Sequence, residues 1–182
     1  MPRAGLDAEA VVAAAAGLAD ADGLEALTLA RLARRLGVRA PSLYAHVDGL
    51  PDLRRRLAAR GVRELTAALQ EAAAGRAGGD ALAAVAAAYR AYARAHPGTY
   101  AALQRAPLLD EPAAQLVGVV VAILRGYGLA DEDAVHATRI VRAALHGFVS
   151  LEAEEGFRIP LELDETFARL VAVLDRGLSS LR

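Results

Sequence analysis

The 182-residue sequence contains no cysteine and no tryptophan, and all 21 of its basic residues are arginine. Without cysteine the chain has no disulfide scaffold, no thiolate metal site and no cysteine nucleophile. Aromatic residues make up only 4% of the chain, proline is sparse and alternating strand patterns are hard to find, which argues against a β-sandwich or barrel. No run of 18 or more apolar residues exists, so we expect no transmembrane helix.

Alanine is abundant: there are 45 alanines, and 55% of the chain is apolar. This composition predicts a folded, helical chain rather than a disordered one. Asp7 and Glu9 come too early for a signal peptide, so we expect a cytoplasmic protein with no membrane contact. The apolar spacing predicts an all-α fold of about nine helices and no sheet, with an N-terminal domain over residues 1–60 and a C-terminal helical domain over 61–182.

Charge is distributed unevenly although the net charge is only −1. Residues 27–60 hold eight arginines against Asp48 and Asp52, a local charge of +6, whereas residues 61–182 carry twelve arginines and fifteen acids, or −3. A basic segment followed by an acidic one indicates an anion-binding module joined to something else. Solvated helix faces explain the same charges equally well.

A helix-turn-helix pattern lies within the basic segment. Thr28 is predicted to cap a short helix whose apolar positions are 29, 32, 33 and 36. Gly37 stands where a left-handed residue ends a helix. A second short helix is expected over residues 41–47, and the tight turn at Gly37-Val38 would aim it into a DNA major groove.

The stretch over residues 27–47, LTLARLARRLGVRAPSLYAHV, resembles the TetR family of transcriptional regulators, and the resemblance covers about residues 5–60. Residues 144–152, with Gly156-Phe157 and a helix over 164–178, resemble a C-terminal domain named for a Trp-His-Gly motif. Leu145 stands where that tryptophan would be.

The resemblance implies a homodimeric, ligand-responsive DNA-binding regulator. Its most direct form is a repressor released from a palindromic operator by a small molecule, with activation left open. The residues expected at the DNA are Thr28, Arg39, Ala40, Pro41, Ser42, Tyr44, His46 and Arg54. The family usually has a lysine near the start of the next helix where this chain has Leu50-Pro51. A phosphate contact is therefore missing there, or Arg54 and Arg55 supply it one turn later.

An aromatic stripe in the C-terminal half predicts either an effector pocket or simple core packing. The candidate effector residues are Tyr89, Tyr92, His96, Tyr100, Leu116, Val120, Arg142 and His146. Arg142 and His146 share one helix face with Arg139, and this polar stripe would serve an anionic ligand group or an ion network between subunits.

By resemblance, the helices over 131–152 and 164–181 pack against those of a second copy. The candidate dimer residues are Arg139, Phe148, Phe167, Leu170 and Leu174.

Two other classes of protein are possible on this sequence. A di-iron helical enzyme needs Glu-x-x-His pairs on two helices, but Glu132 and His136 are four apart and have no partner pair. No Gly-rich phosphate loop and no Gly-x-Ser-x-Gly motif appears, so we expect no enzyme, cofactor or metal. A structural helical adaptor would leave the pattern from Thr28 to Val47 unexplained.

Overall fold

The computed structural model describes residues 6–105 and 111–181, and within them the chain forms helices and no strand. The eight α-helices are α1 (Ala8–Asp22), α2 (Leu29–Leu36), α3 (Gly49–Ala73), α4 (Gly78–Ala95), α5 (Pro97–Arg105), α6 (Glu111–Arg125), α7 (Asp131–Ala153) and α8 (Leu163–Ser179). Two 3-10 helices lie over Leu24–Ala26 and Ala40–Ala45. The predicted all-α class is therefore confirmed. No described helix combines the length and the apolar character that a membrane crossing requires.

Side-chain caps begin the first two α-helices, and the cap at Thr28 confirms the prediction from the sequence. Asp7 caps α1 by accepting a hydrogen bond from the backbone N–H of Ala10 at 2.7 Å. Thr28 caps α2 in the same way, with the N–H of Arg31 at 3.2 Å. Each cap satisfies a donor that the first helical turn would otherwise leave unpaired.

Two local expectations need correction. The helix expected over 41–47 is a 3-10 helix over Ala40–Ala45, because i→i+3 bonds such as that from the N–H of Ser42 to the Arg39 carbonyl form at its start. The helix expected over 164–178 begins one residue earlier, at Leu163, and Glu162 is its N-cap.

The chain divides into two compact units. Among the described residues, the first holds 6–63 and 95–105, and the second holds 64–94 and 111–181. The predicted domain boundary at 60–61 stays a prediction. In the structure α5 packs against α1 in the first unit, although α5 comes after the predicted boundary in the sequence.

The first unit has a continuous apolar core. The innermost side chains come from each of its N-terminal elements and are fully shielded from water: Val11, Leu27, Leu32, Leu43, Leu53 and Leu57. Burial of a leucine of this kind contributes about 1.5–3 kcal/mol. Side chains on both helices of the helix-turn-helix therefore anchor it to this core.

Helix α5 approaches α1 so closely that only glycine fits at the contact. A Cβ atom at Gly98 would lie 2.1 Å from the carbonyl oxygen of Ala19. Beside it, the carboxylate of Asp20 accepts hydrogen bonds from the backbone N–H of Thr99 at 2.7 Å and from its hydroxyl at 3.2 Å. Thr99 is fully buried. Asp20 thus caps the first turn of α5 from a different helix.

We expect Gly98→Ala to lower the free energy of unfolding by about 3 kcal/mol, because the added methyl meets backbone atoms that no rotamer change can move aside. Urea denaturation followed by circular dichroism measures this. The matched control is Gly118→Ala in α6, where a Cβ meets nothing within 4 Å. The free energy of unfolding of that variant should rise by up to about 1 kcal/mol, because alanine has the higher helix propensity. A Gly98→Ala protein as stable as the control would contradict the close contact of α5 with α1.

Candidate nucleic-acid interface

The turn between the two short helices is closed by backbone hydrogen bonds. Gly37 adopts the left-handed conformation, with φ 66°, at the end of α2. Its N–H bonds to the Arg34 carbonyl at 3.2 Å, and the N–H of Val38 bonds to the Ala33 carbonyl at 3.0 Å. This double closure is the usual glycine-terminated helix end, and it fixes the direction in which the chain leaves α2.

The second short helix is amphipathic. Leu43 and Val47 lie in the core, whereas Pro41 and Ser42 are exposed and Tyr44 is 61% exposed. Leu43 is the buried anchor of this helix, and Val47 follows just beyond its end. Four of the eight residues predicted at the DNA are exposed here, namely Arg39, Pro41, Ser42 and Tyr44, whereas Ala40 is half-buried against the core.

The other predicted DNA residues have different surroundings. Thr28 is exposed and already accepts the N–H of Arg31. His46 is half-buried at the end of the 3-10 helix, where its N–H bonds to the Leu43 carbonyl. Arg54 donates to Glu25 Oε2 through Nη2 at 3.4 Å, so its guanidinium has a protein partner at the edge expected to meet a phosphate.

Most arginines of the basic segment are engaged within the protein. Arg31 pairs with Asp22 at 2.6 Å, and Arg55 and Arg56 both pair with the buried carboxylate of Asp52. Burial alone would raise the pKa of Asp52, but hydrogen bonds from the Asp48 N–H and from Arg56 hold it below its ordinary value. Asp52 therefore stays ionised and holds two arginines.

Three arginines of the segment remain uncommitted. Within residues 6–105 and 111–181, the guanidinium groups of Arg34, Arg35 and Arg39 make no hydrogen bond and no ion pair, and all three residues are exposed. They flank the turn at Gly37. Uncommitted cations beside an outward-facing helix suit the binding of a polyanion. The residues predicted from the sequence included Arg39 but not Arg34 or Arg35, although both lie in the last turn of the predicted helix.

The predicted aromatic stripe is split between the two units. Tyr89 and Tyr92 are buried in the second unit, and the Tyr92 hydroxyl donates to Glu64 Oε2 at 3.1 Å. His96 and Tyr100 lie in the first unit, where His96 Nδ1 is 3.3 Å from Asp20 Oδ2 and Tyr100 is buried. Each pair is packed within its own unit.

The remaining candidate effector residues belong to α6 and α7. Leu116, Val120 and His146 are half-buried, and Arg142 is exposed. Burial, and then the positive charge of Arg142, lower the pKa of His146. The imidazole is therefore neutral at pH 7 and can donate or accept a hydrogen bond.

Three of the five predicted dimer residues are buried inside the subunit. Phe148 and Phe167 stack edge to face with ring centroids 5.0 Å apart, and Leu174 is also buried. Leu170 is half-buried and Arg139 is exposed. Large apolar side chains that remain exposed on α7 and α8 were not singled out by the sequence: Val135, Ile140, Leu151 and Val173.

A buried ion pair explains why the two phenylalanines face inward. The Arg90 guanidinium lies 5.3 Å from the Phe148 ring centroid and 4.8 Å from that of Phe167. It also pairs in a bidentate manner with Glu152, at 2.9 Å and 2.5 Å, and with Asp164 at 2.8 Å. The hydrogen bond from Arg90 is the main reason that the pKa of Glu152 is lowered. This cluster ties α4 to α7 and α8.

We expect Glu152→Gln to lower the free energy of unfolding at pH 7 by about 2 kcal/mol, because Arg90 would remain buried with a weaker partner. The folded-state pKa of Glu152 lies below its ordinary value, so its contribution is present above that value and lost as the pH falls through the lowered pKa. The difference between variant and wild type should therefore shrink in acid. Glu165→Gln, which breaks an exposed pair with Arg169, is the control and should change stability by less than about 0.5 kcal/mol. A constant difference at all pH values would contradict this account.

The chain is similar to several known proteins. The pattern that defines tetracyclin repressor-like C-terminal domains matches residues 82–174. An uncharacterized HTH-type transcriptional regulator of Mycobacterium tuberculosis is 41% identical over 179 residues, 95% of this chain and 82% of that protein. An HTH-type transcriptional repressor of Streptomyces coeruleorubidus is 33% identical, over 98% of this chain and 67% of its own length.

A solved structure agrees with these relatives. A TetR variant of Acinetobacter baumannii in complex with minocycline superimposes with a TM-score of 0.77 at 25% identity, over 98% of this chain and 99% of the other. The resemblance to the domain named for Trp-His-Gly stays a prediction.

Proposed function

Because the chain belongs to the TetR family of transcriptional regulators, we propose that it is a repressor that binds a palindromic operator as a homodimer and leaves it when a small molecule binds. The observation that carries the DNA contact is the outward face of the 3-10 helix at Ala40–Ala45, flanked by uncommitted arginines. The similarity to a repressor of Streptomyces coeruleorubidus supports repression over activation.

At the operator, the outward face would enter the major groove. Uncommitted Arg39 would reach a phosphate or a base edge, and Tyr44 would contact the backbone of the DNA. Few of the outward side chains can form a bidentate pair with a base, so the shape of the DNA would contribute much of the specificity. Of the six other candidates, Pro41 and Ser42 would lie along the same face, and Thr28, Ala40, His46 and Arg54 would flank it.

We place the effector in the second unit, among α4, α6 and α7. Tyr89 and Tyr92 would supply apolar area there, with Leu116 and Val120 as walls. Neutral His146 beside Arg142 would orient a polar or anionic group of the ligand. The minocycline complex of the Acinetobacter baumannii TetR variant supports a small organic effector.

The dimer contact would use the exposed apolar faces of α7 and α8. At 100° per residue, Ile140, Gly147 and Leu151 fall within about 40° of one another on α7. Leu170, Val173 and Gly177 form a similar face on α8. A Cβ at either glycine meets nothing within 4 Å, so both glycines leave room for a helix of the partner to approach closely.

DNA binding is tested by fluorescence anisotropy on a labelled duplex from beside its own gene, with a scrambled duplex as control. Arg39→Gln should weaken operator binding about tenfold and reduce the slope of log affinity against log salt by about two, since each subunit loses one phosphate contact. Arg169→Gln removes the same charge from the exposed face of α8 and should leave both quantities unchanged. Equal effects of the two substitutions would argue against the assigned face.

The dimer proposal is tested by Ile140→Glu, which places a charge on the apolar face of α7. Analytical ultracentrifugation should show monomers at concentrations where the wild type is dimeric, because an unpaired charge at a helix–helix contact costs several kcal/mol. Val117→Glu, at an equally exposed position on α6, is the matched control and should stay dimeric. A dimeric Ile140→Glu protein would contradict the proposed interface.

A further inference from the structure

Glu25 is shared between two arginines from distant parts of the chain. It lies in the 3-10 helix that follows α1, and its side chain is 70% exposed. Oε2 accepts from Arg54 Nη2 at 3.4 Å, and Oε1 accepts from Arg105 Nη1. Arg54 belongs to α3 and Arg105 is the last residue of α5, and all three residues lie in the first unit.

Only one edge of the Arg54 guanidinium is accessible to an anion. Its Nε is buried and makes no hydrogen bond within the part of the chain that the structure describes. An anion can therefore approach only the Nη edge. Glu25 already contacts that edge, so a DNA phosphate and the Glu25 carboxylate would compete for the same donors.

Arg105 decides how strongly Glu25 competes. The hydrogen bond from Arg105 is the largest cause of the lowered pKa of Glu25, ahead of any contribution from Arg54. The lowered pKa keeps Glu25 ionised at pH 7. Without Arg105, Glu25 would pair with Arg54 alone, and its negative charge would repel DNA and hold Arg54 away from a phosphate.

We propose that Glu25 is a positioning residue of the DNA interface, shared between Arg54 and Arg105. Glu25 holds the Nη edge of Arg54 away from a phosphate, and Arg105 weakens this hold because it pairs with the other oxygen of the same carboxylate. Loss of Arg105 would therefore leave Glu25 to Arg54 alone. The inference rests on the proposed DNA-binding function and adds a residue that sets the affinity of its interface.

The fold ties Arg105 to the rest of α5. Asp20 and the close contact at Gly98 fix the first turn of this nine-residue helix on α1, and Arg105 lies at its other end. Helix α5 also packs against the 3-10 helix that carries Glu25, so the fold holds Arg105 beside this carboxylate.

The test is a double-mutant cycle on DNA affinity, measured by fluorescence anisotropy with the full chain and the gene-flanking duplex. Glu25→Gln should tighten binding by the dimer about fivefold, and Arg105→Gln should weaken it about fivefold. The double variant should match Glu25→Gln within about twofold, because Arg105 acts only through Glu25. Arg105→Lys keeps the charge and should stay within about twofold of the wild type.

Asp22→Asn is the matched control for charge. It removes one acid three residues from Glu25, and its partner Arg31 is not a predicted DNA contact, so binding should change less than about twofold. The inference is overturned if Arg105→Gln weakens binding equally with and without Glu25, or if Glu25→Gln behaves like Asp22→Asn. If the folded wild type does not prefer the gene-flanking duplex to the scrambled one, the proposed function fails and this inference fails with it.

Discussion

The close approach of α5 to α1 is the constraint on which the first unit depends. It requires a residue without a Cβ atom at Gly98 and a carboxylate at Asp20 to satisfy the first turn of the incoming helix. These two requirements bring a helix from the middle of the sequence into the unit that carries the helix-turn-helix. A contact between residues about 80 positions apart thereby becomes part of the structure that supports a segment of only 20 residues.

Local features of the first unit could be predicted from the sequence because their causes are local. Asp7 and Thr28 cap helices through bonds that span three residues, and Gly37 ends α2 because the left-handed conformation there favours glycine. The apolar spacing of α2 likewise indicates which side faces inward. The 3-10 form of the next helix was missed. A short helix with proline near its start satisfies the same apolar pattern as an α-helix or as a 3-10 helix.

Ion pairs and stacking could not be predicted in the same way, because their partners are brought together by tertiary packing. Glu25 and Arg54 are 29 residues apart, and Arg90 and Glu152 are 62 apart. Nothing in the spacing of either pair indicates a contact. The inward orientation of Phe148 and Phe167 follows from the same buried arginine, so the sequence assigned them to a subunit interface while Ile140 and Val173 went unnoticed. Pairs three or four residues apart on one helix, such as Asp52 with Arg56 and Glu165 with Arg169, do carry a readable signal.

The local charge of +6 is larger than the positive charge that the basic segment has available for DNA. Asp52, Glu25 and Asp22 hold four of its arginines, and these acids lie inside or just before the segment itself. What is left for a polyanion is concentrated on Arg34, Arg35 and Arg39 around a single turn. On the proposed DNA-binding face, a small group of charges next to exposed apolar and hydroxyl groups would attract DNA weakly in general and require a good fit at the groove. In the proposed dimer two such faces would bind together, so an electrostatic change at Glu25 would act twice in each complex.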